Sequence, residues 1–217
     1  MIKAVVLDMD GTVLQGNSWQ ELHRCCGLLD VEDQVMLRWY AEGAVSYRQW
    51  TDLIASIYKA RGVATRDAVR AAFDRCTLDP LAEELVADIN RRGLRLILLS
   101  DGVDELVNRV ADHLRIEERA ANHRIEYAAD GRFEGLKMEA DDAQFKAERL
   151  LAFCRKHALA PHDCVCVGDG CNERLIFELT GRGVLYCPPG RVPPDLPFWR
   201  RVDSLKDVQI ILKEETS

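Results

Sequence analysis

An apolar run near the amino terminus ends in a pair of acidic residues, and this junction constrains the fold of the chain. Residues 4–7 are Ala-Val-Val-Leu, and the motif DMDGT follows directly as residues 8–12. A short, continuous apolar run that ends in turn-forming residues is typical of a buried strand in a parallel sheet. Open parallel sheets bind their ligands beyond the carboxyl ends of the strands. We therefore predict that Asp8 and Asp10 lie at the ligand-binding edge of an α/β sheet.

The two acidic residues are spaced so that they can act together. In an extended segment, residues i and i+2 point to the same face, so Asp8 and Asp10 address one small volume. Two carboxylates placed there repel each other unless a cation or a shared proton relieves them. Gly11 lets the backbone turn, and Thr12 adds a hydroxyl donor. The alternative is a surface turn rich in Asp and Gly, and partners elsewhere in the chain decide between the two.

The rest of the chain divides into a helical insertion and an α/β core. Residues 15–79 are predicted to be almost entirely helical, with helices that start at the capping-box residues Ser18 and Ser46. After Pro80, which is predicted to open a helix, helices and strands alternate, and this alternation indicates a parallel sheet flanked by helices. Strands are predicted at residues 94–99 and near 164–168, 184–187 and 201–203, with a hairpin at 123–138. We therefore predict a core formed by residues 1–14 and 80–217, with residues 15–79 inserted as a helical cap domain.

Composition and charge exclude several classes of function. The chain has 217 residues, 47% of them hydrophobic and 30% charged, which is ordinary for a globular protein. Its formal net charge of −7 disfavours a nucleic-acid partner. No apolar segment approaches the roughly 18 residues needed to span a bilayer, and the amino-terminal run is too short for a signal peptide. We expect a cytoplasmic protein without a membrane partner; the sequence does not specify its oligomeric state.

The eight cysteines are predicted to be free thiols. Cys164 and Cys166 alternate with valines in a strand-like run, and Cys25 and Cys26 are expected to diverge on a helix. These spacings do not match a zinc site. Buried thiols that act as small hydrophobic groups are the better explanation.

Two later strand ends carry polar residues suited to a phosphate and a metal ion. Ser100 follows a predicted strand and begins a Ser-Asp-Gly turn, where a hydroxyl and exposed amides can form an anion site. The segment GDGCNE follows another strand and places Asp169 and Glu173 at the same edge. Together with Asp8, these carboxylates form an oxygen-rich set of the kind that Mg²⁺ prefers.

In these motifs the chain resembles the haloacid dehalogenase superfamily of phosphatases, in particular its phosphoserine phosphatase-like branch. The resemblance covers the DMDGT motif, the Ser100 turn, Lys146, the GDGCNE segment, the helical cap and the hairpin. It implies a Rossmann-like parallel sheet flanked by helices, with an inserted helical cap of the C1 type. It also implies that Asp8 is the nucleophile that forms an aspartyl-phosphate. Asp10 would protonate the leaving oxygen and then activate water.

The same resemblance implies a set of ligand contacts. Mg²⁺ would be held by Asp8, the Asp10 carbonyl and Asp169, and Glu173 would bind a water molecule of the metal. Lys146 would cancel the repulsion between the phosphate and the attacking carboxylate. The residues expected to contact the phosphate or the rest of the substrate are Thr12, Ser100, Asp101, Gly102, Lys146 and Asn172.

Departures from the phosphoserine phosphatase pattern concern the head group of the substrate. Asn17 and Ile54 stand where those enzymes have the Glu and the Arg that bind the serine group. The second assignment requires a one-residue insertion before Gly43, which leaves Lys59 or Arg61 as a possible cation. The loss of both charged residues predicts that L-phosphoserine is not the main substrate.

Asp101 replaces the glycine that is usual after the motif serine. One interpretation is that Asp101 caps the following helix, which the helix dipole favours. The other is that it receives an ammonium group of the substrate, as the similar Ser-Asp turn suggests for phosphoethanolamine and phosphocholine phosphatases. In that case four aromatic residues of the cap would add cation–π contacts to the ammonium group; the alternative is that they form the hydrophobic core of the cap. These residues are Trp19, Trp39, Tyr47 and Trp50.

The sequence thus predicts a Mg²⁺-dependent phosphomonoesterase that acts on a small phosphorylated metabolite through an aspartyl-phosphate intermediate. Two alternatives stay open: a phosphotransferase that passes the phosphoryl group to an alcohol, and a phosphoserine phosphatase with altered cap contacts. A phosphoaspartate switch is disfavoured by Asp10, because a stable acyl-phosphate has no use for an acid–base group beside it. Dehalogenation is also disfavoured, because the dehalogenase branch lacks an acid at the position of Asp10.

Overall fold

The structure, a computed structural model, describes residues 1–216, and of Asp142 and Pro189 it describes only the backbone. The strands are β1 (Ala4–Leu7), β2 (Leu14–Gln15), β3 (Thr77–Leu78), β4 (Arg95–Val103), β5 (Glu118–Tyr127), β6 (Phe133–Met138), β7 (Cys164–Gly168), β8 (Gly183–Tyr186) and β9 (Arg200–Val202). The helices are α1 (Ser18–Cys25), α2 (Asp30–Ala41), α3 (Tyr47–Arg61), α4 (Arg66–Phe73), α5 (Ala82–Arg91), α6 (Asp104–Leu114), α7 (Asp142–Lys156), α8 (Arg174–Thr180) and α9 (Leu205–Thr216). Short 3₁₀ turns lie at Pro161–Asp163, Cys171–Glu173 and Pro189–Arg191.

Most of the strands join one sheet, whose order over the described residues is β6-β5-β4-β1-β7-β8-β9. Neighbouring strands pair in parallel, except for the β5–β6 hairpin. Strand β1 lies between β4 and β7, with Leu7 opposite both Leu98 and Val167. The carboxyl ends of these three strands are therefore neighbours at one edge. The predicted α/β fold with a mostly parallel sheet is confirmed.

Strand β1 is buried on both faces of the sheet, which explains its continuous apolar sequence. Val5 and Leu7 belong to one hydrophobic cluster, and Ala4 and Val6 belong to another. All four residues are at most 1% exposed. Helices α5, α6 and α9 contribute to the first cluster, and α7 and α8 contribute to the second. Because both faces are covered, the strand needs no polar side chain until it reaches Asp8.

Helices α1–α4, here called the cap helices, lie between the short strands β2 and β3. These strands pair antiparallel, with Leu14 opposite Leu78, so the two ends of the helical insertion are held side by side. The cap helices also contact the hairpin: the Phe133 N–H donates to the Ala64 carbonyl, at 3.0 Å. Residues 15–79 as a separate domain stay a prediction.

Three local predictions of helix and strand ends differ from the structure. Asn17 caps α1 in place of Ser18, because the Asn17 Oδ1 accepts the Trp19 N–H at 2.9 Å. Helix α5 starts at Ala82 and not at Pro80, since Asp79 first accepts the Leu81 N–H and holds a turn there. Strand β4 continues past Ser100 to Val103, because it keeps its pairing with β5. By contrast, the predicted capping box at Ser46 is present.

All eight cysteines are free thiols, as predicted. The expected divergence of Cys25 and Cys26 is wrong, because α1 ends between them and their sulfur atoms lie 3.7 Å apart. A second pair, Cys154 and Cys164, is buried and has the same separation between its sulfur atoms. Within residues 1–216, none of the helices has the length and apolar character that crossing a membrane requires.

Candidate active site

The carboxylate of Asp8 lies at the end of β1 in direct contact with Lys146. The Asp8 N–H still bonds to the Val167 carbonyl of β7, so the sheet fixes the position of this residue. Helix α7 carries Lys146 into the interior, where its Nζ lies 2.6 Å from Asp8 Oδ1 and its side chain is fully buried. Burial alone would lower the pKa of Lys146, but the charges of Asp8, Glu173 and Asp101 outweigh it and raise this pKa well above its usual range. Lys146 is therefore a permanent cation beside Asp8.

Asp10 faces the same space and is held by a residue that the sequence did not suggest. Ser18 donates its backbone N–H to one Asp10 oxygen at 2.6 Å and its hydroxyl to the other at 2.9 Å. The chain turns back between Gly11 and Gly16, and the Gly11 N–H donates a hydrogen bond to the Gly16 carbonyl at 2.7 Å. Burial raises the pKa of Asp10 to about 6, with a further contribution from Asp8, although the Ser18 bonds lower it. A carboxyl group with such a pKa can both give and take a proton near neutral pH.

Asp169 follows β7 and approaches Asp8 from the other side. A Cβ atom on Gly11 would lie 2.1 Å from Asp169 Oδ2, so only glycine leaves room for this carboxylate. Burial and the neighbouring charge of Asp8 raise the pKa of Asp169 to about 7. The structure thus packs carboxylates together with too little positive charge to balance them.

Glu173 turns toward Lys146 instead of toward Asp169. Its Oε1 accepts from Lys146 Nζ, and its Oε2 accepts the Gly170 N–H at 2.9 Å. A Cβ atom on Gly168 would lie 2.4 Å from Glu173 Cγ, so the glycine of β7 makes room for the longer acid. Burial raises the pKa of Glu173 even beside Lys146. Both of its oxygens are engaged, so a role in binding a metal water stays a prediction.

The predicted metal ligands are near one another, but they do not form a closed coordination set. Among the described residues, no three His, Cys, Asp or Glu side chains converge on one point. The donor chemistry nevertheless fits a hard divalent cation, because Asp8, Asp10 and Asp169 supply oxygen atoms and excess negative charge. Gly11 contributes to this fit, because the Asp169 carboxylate occupies the place where a Cβ atom of residue 11 would lie.

The predicted phosphate contacts lie around Asp8. The Thr12 hydroxyl donates to Asp8 Oδ2 at 3.3 Å and is fully buried. Ser100 Oγ accepts the Gly102 N–H at 2.9 Å, so the Ser100 hydroxyl is held next to the end of β1. A Cβ atom on Gly102 would press on Ser100 and Met9, which explains the glycine at this point.

Asp101 is engaged on both oxygens by amide groups. Its Oδ1 accepts from Asn122 Nδ2 at 3.0 Å, and its Oδ2 accepts from Asn172 Nδ2 at 3.2 Å. Lys146 Nζ lies 3.7 Å from Oδ2. The interpretation of Asp101 as a helix cap is wrong, because α6 starts at Asp104 with Val103 as its N-cap and without a side-chain cap. Asp101 instead links β5 to the GDGCNE segment.

Asn122 and His123 were not expected from the sequence. Both lie on β5, next to Asp101: Asn122 also donates to the Ala140 carbonyl, and His123 Nδ1 lies 2.7 Å from the Asp101 carbonyl oxygen. Burial lowers the pKa of His123 to about 4. One sequence signal could have indicated these two residues: they are polar residues in the middle of a strand that lacks a clear alternation of apolar and polar residues.

A cavity of about 660 Å³ lies between the cap helices and this edge of the sheet. Its core side includes Asp8, Asp10 and Asp169 together with Ser100, Asp101, Gly102 and Asn172. Its cap side is aromatic and carries one carboxylate: Trp19, Tyr40, Tyr47, Trp50 and Asp33. The cavity is much larger than a phosphate, so it can also hold a head group.

The cap residues compared with phosphoserine phosphatases occupy different surroundings. Asn17 lines the cavity, whereas Ile54 is fully buried in the hydrophobic core and does not line it. Lys59 and Arg61 do not line it either; Arg61 binds the Gly27 carbonyl and Glu32. As far as the described residues show, the cap side of the cavity has no Lys or Arg.

Comparison with known proteins places this site in a family. The sequence model of the haloacid dehalogenase-like hydrolases matches residues 2–177. A phosphoserine phosphatase of Methanocaldococcus jannaschii is 27% identical over 188 residues, which cover 85% of each chain. One of Archaeoglobus fulgidus is 26% identical over 186 residues, which cover 85% of this chain and 52% of that protein. The chain therefore spans about half the length of the second relative.

Solved structures share the fold over nearly the whole chain. A substrate-bound phosphoserine phosphatase complex has a TM-score of 0.81 at 23% identity, over 99% of this chain and 98% of that one. A phospho-aspartyl intermediate analogue of phosphoserine phosphatase has a TM-score of 0.79 at 24% identity, over 98% of both chains. The family predicted from the motifs is thus confirmed. The chain belongs to the haloacid dehalogenase-like hydrolase family, within which it is phosphoserine phosphatase-like.

Proposed function

We propose that the protein is a Mg²⁺-dependent phosphomonoesterase that hydrolyses a small phosphorylated metabolite through an aspartyl-phosphate. The observation that carries this proposal is the contact between Asp8 Oδ1 and Lys146 Nζ at 2.6 Å, in a cavity that Asp10 also lines. A carboxylate and a phosphate ester are both anions, so a nucleophilic Asp needs a fixed cation beside it. Lys146 supplies that charge without access to solvent.

The proposed reaction has two steps, in which Asp8 and Asp10 account for every bond formed or broken and every proton transferred. In the first step Asp8 attacks phosphorus, the bond to the leaving oxygen breaks, and the Asp10 carboxyl gives its proton to that oxygen. In the second step water attacks phosphorus, its proton passes to the Asp10 carboxylate, and the acyl-phosphate bond breaks to restore Asp8. The covalent step divides a slow hydrolysis into two easier displacements. Ser18 holds the Asp10 side chain in one orientation for both proton transfers.

The cation that would complete the site is Mg²⁺, with Asp8, the Asp10 carbonyl and Asp169 as its protein ligands. When bound, it supplies positive charge that lowers the repulsion between the phosphate and the nucleophile. The crowding of these carboxylates supports this assignment: burial raises the pKa values of Asp10 and Asp169, and the charge of Asp8 raises them further. Lys146 carries one positive charge. That charge cannot balance the carboxylates of Asp8, Asp101 and Glu173, which it contacts, together with the two carboxylates of Asp10 and Asp169.

The proposal includes a substrate other than L-phosphoserine. Its support is the cap side of the cavity, where no Lys or Arg among the described residues is available for the carboxylate of serine. The named relatives favour the alternative, a phosphoserine phosphatase with altered cap contacts, in which the exposed Arg191 of the core would replace the cap cation.

The test is turnover and trapping of the phosphoenzyme. The purified protein is assayed with p-nitrophenyl phosphate and a panel of phosphorylated metabolites, with Mg²⁺ and with a chelator, and labelled phosphoenzyme is collected after acid quenching. We expect Mg²⁺-dependent turnover and acid-stable label, both absent in Asp8→Asn and retained in the matched surface variant Asp112→Asn. Turnover by Asp8→Asn at the wild-type rate would overturn the covalent mechanism. Substrate loss that exceeds phosphate release when an alcohol is added would identify a phosphotransferase.

A further inference from the structure

We propose that Asp33 selects substrates whose leaving group carries a substituted ammonium, which the aromatic rings of the cap enclose. This inference rests on the proposed function, because it concerns the head group of the same phosphate ester. Its basis is the composition of the cap side of the cavity: four aromatic rings from three helices and one carboxylate, without Lys or Arg among the described residues.

One oxygen of the Asp33 carboxylate has no hydrogen-bond partner among the residues that the structure describes. Asp33 extends from α2 into the cavity, and only 16% of its side chain is exposed. His23 Nε2 lies 3.3 Å from Oδ1, but this oxygen is buried and accepts no hydrogen bond from the described residues. The other ring nitrogen of His23 pairs with the Tyr58 hydroxyl. A buried carboxylate oxygen without a donor is costly, and a cationic ligand would relieve it.

The rings around Asp33 form a continuous aromatic wall. Tyr47 stacks on Trp50 with ring centroids 5.4 Å apart and an interplanar angle of 11°. Trp19 meets Trp50 edge-on at 5.8 Å, and Tyr40 lies 5.5 Å from Tyr47. Aromatic faces attract ammonium groups through their quadrupoles, most strongly where water is excluded. The wall and the carboxylate together suit a cation that also has apolar surface.

Two other kinds of head group fit less well. A carboxylate would meet Asp33, and among the described residues of the cavity the Arg that could bind it, Arg191, lies on the core side. A neutral apolar group would fill the aromatic wall but leave Asp33 Oδ1 buried without a donor. Asp101 does not provide this anion site, because amide groups of Asn122 and Asn172 already occupy its oxygens. Among the described residues, the carboxylate on the cap side of the cavity is that of Asp33.

The experiment compares esters that differ in charge and hardly at all in shape. Phosphocholine is paired with 3,3-dimethylbutyl phosphate, in which carbon replaces nitrogen, and phosphoethanolamine is paired with propyl phosphate. The kcat/KM of each is measured on the full chain with saturating Mg²⁺. We expect at least one ammonium ester to exceed its neutral partner about tenfold or more. Equal values in both pairs would overturn the inference, and Asp8-dependent turnover of p-nitrophenyl phosphate in the same samples would leave the proposed function intact.

Variants then assign the preference to the proposed residues. Asp33→Asn should lower the ratio of kcat/KM for the ammonium ester to kcat/KM for its neutral partner about tenfold. Its matched control is Asp30→Asn, an exposed acid on the same helix. Trp19→Leu should act in the same direction, with the exposed Trp39→Leu as its control. Equal losses on both esters would mean a structural role and would overturn the assignment. If Asp33→Asn does not fold, the pairs on the native chain still decide.

Discussion

Ser18 donates both its backbone N–H and its hydroxyl to the carboxylate of Asp10, at 2.6 and 2.9 Å. Ser18 is the first residue of the first cap helix, whereas Asp10 belongs to the DMDGT motif, so the two bonds connect the cap helices to that motif. The hydroxyl is not the cap of its own helix, since Asn17 has that role. Under the proposed mechanism, Ser18 would therefore orient the carboxyl group of Asp10 for proton transfer.

The first prediction concerns this hydroxyl. Ser18→Ala keeps the backbone bond to Asp10 but removes the side-chain bond, so the carboxyl should lose orientation. We expect kcat to fall roughly tenfold, a fraction of the roughly 10²–10⁴-fold that general acid–base catalysis contributes. KM should change little, and steady-state kinetics with p-nitrophenyl phosphate measures both constants.

Thr65→Ala is the control for the loss of a hydroxyl at a cap helix. Thr65 accepts the Ala68 N–H at the start of α4, so this variant should lower stability by about 1 kcal/mol and leave kcat unchanged. A kcat of Ser18→Ala equal to that of Thr65→Ala would show that the hydroxyl does not orient Asp10.

The second prediction concerns the buried cation. Lys146→Met removes the cation that contacts both Asp8 and Glu173, in an interior that does not solvate them. Breaking such a buried pair by removing one partner costs about 3–5 kcal/mol, and turnover should be lost as well. Chemical denaturation measures the free energy of unfolding.

Lys156→Met is the matched control on the same helix. Lys156 pairs with Glu118 at the surface and should contribute less than about 1 kcal/mol. If the two variants are equally stable, Lys146 does not carry the charge balance of the site.

The sequence was most informative where a motif continues a buried strand. Residues 4–7 are apolar because both faces of β1 are covered, so the position of Asp8 at the sheet edge could be predicted. The position of Asp169 followed from its place after a predicted strand, whereas that of Lys146 was implied by the family resemblance. The structure brings both against Asp8, and their catalytic roles stay predictions.

The partners of the site residues could not be predicted, because they depend on packing between distant segments. Ser18 looked like a helix cap, since Glu21 follows it at the spacing of a capping box. The choice between Ser18 and Asn17 is decided by Asp10, which the loop brings to Ser18. In the same way, Asp101 turns away from α6 because Asn122 offers it an amide from the next strand. Neither contact can be predicted from local secondary-structure propensity.

The third prediction concerns the metal. Asp8, Asp10 and Asp169 repel one another without a cation, so Mg²⁺ should raise the melting temperature of the native chain. Asp169→Asn removes one of these charges. It should raise the melting temperature in the presence of a chelator and abolish most of the increase caused by Mg²⁺.

Thermal denaturation with and without MgCl₂ checks this without any assay of activity. Asp207→Asn, on the distant helix α9, is the control and should behave like the native chain. An Asp169→Asn variant that gains as much from Mg²⁺ as the native chain would remove Asp169 from the ligand set.

The last prediction concerns His123 and the pH dependence of stability. Burial lowers its pKa from 6.5 to about 4, so the unfolded chain binds the proton first as pH falls through that window. Stability is therefore lost between pH 6.5 and 4, by at most about 3 kcal/mol.

His123→Gln should remove this loss, while the exposed His113→Gln should retain it. The difference between the two variants, measured by urea denaturation at several pH values, cancels the contributions of the buried carboxyls. Parallel stability curves for the two variants over this pH range would show that His123 does not titrate as its burial requires.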